Sequence, residues 1–153
     1  MRGVNTASRC VSPPPPHAPA ARGLLRRTAP PVGVLAGVLA AFAYVGAVDP
    51  NQPGHYPVCP LLRFAGVFCP GCGGLRSAHA FVHGDVLAAL QDNALAVGGY
   101  LLFAVVWSVW LVRAVRGRPL RLDLGPVHLW CLGTLLVAFT VVRNLPFGGW
   151  LHP

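Results

Sequence analysis

Three apolar runs without a charged residue limit what this chain can become. Val32 to Val48 reads VGVLAGVLAAFAYVGAV, Ala94 to Val112 reads ALAVGGYLLFAVVWSVWLV, and Val127 to Val142 reads VHLWCLGTLLVAFTVV. At about 1.5 Å of rise per residue each run approaches or reaches the roughly 30 Å hydrocarbon core of a bilayer. A helix satisfies its own backbone polar groups at that depth, whereas an isolated extended strand leaves them without partners. The runs therefore predict an all-α membrane protein with three transmembrane helices, spanning about residues 32–48, 94–112 and 127–145. The third span reaches Leu145 if Arg143 snorkels to the interface. Only 10% of the residues are charged, against about 25% in a soluble domain, which agrees with that reading.

The flanks of the runs add detail. Pro30 and Pro31 suit the first turn of the first span. Arg22, Arg26 and Arg27 before it, with AFA or VGA behind it, imitate a cleaved signal peptide. The stretch ahead of the apolar run is about thirty residues, far longer than the basic region of such leaders, which favours a retained span. Tyr100, Trp107, Trp110 and Trp130, with Trp150 beyond the last run, lie mostly towards span ends, where amphipathic rings settle among headgroups.

A formal charge of +8 would point to nucleic acid in a soluble chain. Here the arginines stand elsewhere: five precede the first span and four lie between residues 113 and 126, nine of twelve in all, while only Arg63 and Arg76 fall between the first two spans. That bias orients a membrane protein, and no basic stripe interleaved with aromatics supports a nucleic-acid partner. The expectation is a multi-pass protein of the cell membrane with a cytoplasmic N-terminus and an extracytoplasmic C-terminus. Residues 1–29, rich in Pro, Ala and Arg, read as a disordered cytoplasmic tail with an incidental Cys10, and residues 30–153 as the membrane domain.

Residues 55–93 form a cysteine-rich elbow between the first two spans. PLLRFAG reads as a short helical turn with Pro60 first and Gly66 ending it, Leu75 to His83 as a short helix closed by Gly84, and Asp85 as the N-cap of VLAALQDN. Within the elbow lie Cys59, Cys69 and Cys72, the last two forming a C-P-G-C step. Three chemistries share these atoms. Zinc or a similar ion needs four soft or imidazole ligands, which Cys59, Cys69 and Cys72 with His79 would supply, His55 and His83 being the other imidazoles in range. A redox pair would use Cys69 and Cys72, their thiolates favoured by a helix start and by Arg76, although neither a thioredoxin-like βαβ pattern nor a second membrane-embedded pair accompanies them. A structural disulfide would join Cys69 to Cys72, or Cys59 to one of them. Arg76 at the start of a helix opposes the helix dipole and calls for an anion or a lipid headgroup. Cys131 reads as a small apolar filler. No nucleophile elbow, P-loop, H-E-x-x-H or dinucleotide fingerprint occurs, so nothing supports an enzyme beyond the cysteines.

Tyr56 to Leu95, YPVCPLLRFAGVFCPGCGGLRSAHAFVHGDVLAALQDNAL, resembles a family of small bacterial membrane proteins catalogued as domain of unknown function 2752. Its pattern is a C-P step, an aromatic-rich spacer, C-P-x-C-G-x-T-R-A, a helix with His, an H-G-D turn and N-P before the next span. The resemblance places those features on Cys59, Cys69, Cys72, Gly73, Arg76, His83-Gly84-Asp85 and Asn93. The chain departs at Leu75, where the family has Thr, at Ser77 for Ala, and at Ala94 for Pro. The resemblance implies a membrane module and brings no activity with it. The expected function is a non-catalytic module, whose elbow is fixed by a disulfide or a metal and whose partners are the bilayer and other membrane proteins or copies of itself. The alternative is thiol–disulfide exchange through Cys69 and Cys72.

Overall fold

The computed structural model describes the backbone of residues 19–146 and the side chains of residues 23–146. Most of the tail, with Cys10 and Trp150, lies outside the described residues. Five helices follow in order: α1 (Pro19–Ala47), α2 (Pro60–Ala65), α3 (Gly74–Val82), α4 (Val86–Val115) and α5 (Pro126–Arg143), and no strand occurs among the described residues. Three of them are long and apolar enough to cross a membrane, Gly23–Ala47 of α1, Val86–Val115 and Pro126–Arg143. The chain is an all-α, multi-pass membrane protein with a helical elbow after its first span.

The apolar surface is arranged accordingly. Only 6% of the spanning windows of α4 and of α5 is buried within the chain, so lipid, rather than a protein core, must solvate most of their side chains. Internal packing gathers where α3 rests between α1 and α4. Phe42, Phe81 and Tyr100 meet there, Tyr100 lying 5.1 Å from Phe42 and 5.4 Å from Phe81 between ring centroids. Gly46 permits the close approach of α1 to α3, since a β-carbon there would stand 3.1 Å from Val82 Cγ1. Trp107 Nε1–H donates to Pro31 O at 2.8 Å, tying α4 to α1.

Three boundaries depart from expectation. α1 begins at Pro19, so Pro30 and Pro31 lie inside it instead of in its first turn, and residues 19–29 belong to a helix instead of a tail. Ala, Leu and Arg before the prolines are strong helix formers, and membrane helices tolerate interior prolines where neighbouring groups restore the freed polar atoms. The second span and the short helix ahead of it run together as α4, broken only at Asn93, whose backbone is extended (φ −163°, ψ 91°). α5 ends at Arg143, whose side chain is fully buried and turned into the elbow instead of reaching for the interface. Backbone carbonyls there accept its N–H groups, which fixes the guanidinium inward.

Candidate metal centre

The elbow's turns are set by a few backbone requirements. Pro60 opens α2 immediately after Cys59, and Gly66 closes it in the left-handed region at φ 65°. The Cys69–Pro70–Gly71–Cys72 step folds back on itself through Cys72 N–H to Cys69 O at 3.1 Å, followed by Gly74 N–H to Gly71 O at 3.0 Å. Gly73 then takes φ 77° to launch α3, a conformation that a side chain would strain. Asp85 caps α4 as expected, accepting from Ala88 N–H at 2.9 Å.

These turns bring three sulfurs together. Cys59 Sγ lies 3.5 Å from Cys69 Sγ, Cys69 Sγ lies 3.1 Å from Cys72 Sγ, and all three fall within 4.8 Å of one another. Cys69 N–H also points at Cys72 Sγ at 3.3 Å. Sulfurs sharing a tetrahedral zinc ion, with Zn–S near 2.3 Å, stand about 3.8 Å apart, whereas a disulfide requires about 2.05 Å. All three cysteines are thiols here. The cluster can hold a thiophilic ion, or its closest pair can close to a disulfide.

The thiols differ electrostatically. The amides at the start of α2, Leu62 first, and then the Cys72 and Cys69 sulfurs lower Cys59 to about 7, although its thiol makes no capping hydrogen bond. Burial, and then hydrogen bonding from the other two sulfurs, pushes Cys72 up to about 12. One thiolate is therefore available near neutrality, and a divalent cation would favour the others by displacing their protons.

The backbone beneath the sulfurs is gripped from the spans. Arg143 Nη1 donates to Cys69 O at 3.2 Å and to Cys72 O at 2.9 Å, and its Nη2 donates to Asp92 O at 3.4 Å. Its guanidinium also lies over the Phe68 and Phe139 rings, 5.6 and 5.3 Å from their centroids. Asn93 Nδ2 donates to Pro70 O at 2.9 Å and Cys72 O at 3.0 Å, while Oδ1 accepts from Ala96 N–H at 2.9 Å and so caps the second half of α4. Tyr100 Oη donates to Gly74 O at 3.1 Å. Asn144 pairs with both backbone groups of Phe68, each at 2.9 Å.

The structure brings Cys59, Cys69 and Cys72 together and leaves His79 out. Its Nδ1–H donates to Val45 O at 2.8 Å, and its Nε2 lies 3.9 Å from Asp49 Oδ1. The expected fourth ligand is thus occupied in joining α3 to the end of α1. His83 Nδ1–H donates to His79 O at 2.8 Å, and its ring stacks 4.3 Å from that of His79. Neither His83 nor the exposed His55 belongs to the sulfur cluster. Arg76 lies in the first turn of α3 and lines a cleft shared with Cys59 and Cys72. Cys131 is exposed on α5 instead of filling a core.

Sequence reasoning did not assign Arg143, Asn144 and Tyr100 to this site. The available signal was the Arg-Asn pair at the very end of an apolar run, which reads equally well as an interface anchor. No curated protein and no solved structure matches the chain. The family described as "Protein of unknown function (DUF2752)" matches residues 59–107, from the first cysteine of the cluster to Trp107 in α4, and takes in Asn93 and Tyr100 but stops short of Arg143. That family is the one which the cysteine signature resembles.

Proposed function

We propose that this chain is a non-catalytic membrane module whose extracytoplasmic elbow is fixed by a thiophilic divalent ion, such as zinc, on Cys59, Cys69 and Cys72. The observation that carries the reading is the convergence of three sulfurs from two stretches of chain within 4.8 Å. Charge supports it. Three thiolates and a divalent ion sum to −1, and the buried guanidinium of Arg143, bonded to the carbonyls of two of these cysteines, offsets that charge. A disulfide with one thiol is neutral and offers the guanidinium nothing comparable. A clasp of this kind fixes the elbow as a surface for assembly with another membrane protein or a second copy. The arginine distribution supports an extracytoplasmic position for that surface.

Metal analysis and thiol counting on the detergent-solubilised full chain test the reading. One equivalent of metal, lost in Cys59→Ala, is the expected result. Metal-free protein in which the three elbow cysteines react freely with an alkylating agent would overturn it.

The 3.1 Å approach of Cys69 and Cys72 favours a second reading, thiol–disulfide exchange. In that reaction the pair forms a disulfide and gives two electrons and two protons to a partner disulfide, which becomes two thiols. Cys72→Ser would then accumulate a mixed disulfide between Cys69 and the partner, and its absence would remove the reading.

A further inference from the structure

A tetrahedral centre with three cysteine ligands has a fourth position to fill. His79, the imidazole best placed in sequence, donates Nδ1–H to Val45 O, and among the described residues no histidine or carboxylate joins the three sulfurs. Beside the cluster lies a cleft of about 470 Å³, within the size range of small-molecule sites. Cys59 and Cys72 form part of its wall, while Cys69 stands outside the lining. Gly73 and Gly74 bring the N-terminus of α3 to the same wall, with Arg76 in its first turn. Positive character therefore comes from the guanidinium and from the helix start, in the same cleft that Cys59 and Cys72 line. On the remaining wall Asn51 and Tyr56 offer polar atoms, and no acidic side chain lines the cleft.

Resting on the metal reading above, we infer that the fourth position of the Cys59–Cys69–Cys72 centre opens into this cleft and takes an exogenous small anion with a soft donor atom, a thiolate above all, whose negative charge Arg76 balances. Three-cysteine sites that are closed by a fourth protein ligand are structural, whereas those that keep an open position exchange ligands. The elbow therefore combines a fixed scaffold with a replaceable ligand, and a free thiolate molecule and a cysteine of another chain present the same donor to it.

Cobalt(II) tests this on the full chain in detergent, because its visible absorption reports ligand number and type. The cobalt-loaded protein is titrated with azide and with 3-mercaptopropionate. Saturable spectral changes with both are expected, the thiolate adding sulfur-to-cobalt charge-transfer intensity. Arg76→Gln weakens both affinities about tenfold while leaving cobalt stoichiometry intact, and Arg76→Lys recovers part of the loss. His79→Ala leaves the cobalt spectrum unchanged. A stoichiometric cobalt complex that responds to neither probe overturns the open position and leaves the metal clasp standing, as does a spectrum altered by His79→Ala. Failure to bind cobalt or zinc at all removes the clasp and this inference together. If the spectrum of the untreated protein already shows four sulfurs, and dilution to monomer removes one, the donor is a cysteine of another copy in place of a free thiolate.

Discussion

The two ends of the helical assembly are held by different means. At the cysteine end, side chains of α4, of α5 and of Asn144 just beyond it donate to the backbone carbonyls of Phe68, Cys69, Pro70, Cys72 and Gly74. At the other end, Arg113 Nε donates to Pro119 O at 3.3 Å, and Arg27 lies so near Gly117 that a β-carbon there would meet its Nη1 at 2.6 Å. The first arrangement specifies a shape through directional bonds, most of them at least partly buried. The second places exposed cations near a membrane surface, where their number matters more than their geometry. Substitutions at the cysteine end should therefore carry far larger effects, and four tests rank the difference.

Arg143→Met is expected to be the most damaging. It leaves the carbonyls of Cys69, Cys72 and Asp92 without their charged donor and removes the cation facing the sulfur cluster. Bonds to charged groups contribute about 1.5–3 kcal/mol each, so a loss of about 3 kcal/mol or more is expected. It would read as a lower unfolding temperature in detergent and faster alkylation of Cys72. Arg143→Lys should not restore stability, because an ammonium cannot span the three carbonyls as a planar fork does.

Asn93→Ala comes next. It removes two bonds to the cysteine loop and the cap on Ala96 N–H, and about 2 kcal/mol is expected by the same measurement. Because the backbone at this position is extended, the kink in α4 also loses the side chain that satisfies both of its flanks. Asn93→Asp keeps the acceptor for Ala96 and loses the donor to Pro70 O and Cys72 O, so it separates the cap from the clamp.

The pH dependence of the metal-free thiols is the third test. Cys59 is lowered to about 7, so its thiolate predominates above that pH and its alkylation rate falls about tenfold per unit below it. Cys72, raised to about 12, stays protonated throughout and should alkylate slowly at any pH that the fold survives. The linkage has a definite sign. A thiol whose folded value lies below its unfolded one adds stability at high pH and loses that contribution as pH falls through about 7. Metal affinity should weaken over the same range, since protons compete for the same sulfur. Equal alkylation rates for Cys59 and Cys72 would show that the N-terminus of α2 does not distinguish them.

The same contrast governs what could be read from the sequence. The spans were legible because apolar length is a local property, and the elbow's small helices were legible because Pro60, Gly66, Gly84 and Asp85 act on their own neighbours. The clustering of Cys59 with Cys69 and Cys72 was available as a possibility, since short spacing limits how far they can part. Arg143 was not legible: its role depends on carbonyls 71 and 74 residues away in sequence, and an arginine ending an apolar run has an equally good local explanation. His79 misled for the converse reason. Its spacing suits a ligand, but Val45 O, on a different helix, holds its Nδ1–H. Pro30 and Pro31 suit a first helical turn, yet α1 runs through them, and Trp107 of α4 donates to Pro31 O, the kind of neighbouring support that lets a membrane helix tolerate interior prolines.

The smallest effect should come from the arginine end. Arg121 lies in the exposed loop between α4 and α5, and none of the described hydrogen bonds or ion pairs involves its side chain. Arg121→Gln should change the unfolding temperature by no more than the equivalent of about 0.5 kcal/mol, as is usual for exposed positions. Its contribution is to the sum of charges flanking the second and third spans, so a single change should also leave orientation intact. Replacing Arg113, Arg116, Arg118 and Arg121 together removes that sum, and a reporter fused after Pro153 should then divide between the two sides of the membrane. A single Arg121→Gln substitution that destabilised the protein as much as Asn93→Ala would mean that this end, too, is held by specific bonds, and the contrast between the two ends would fail.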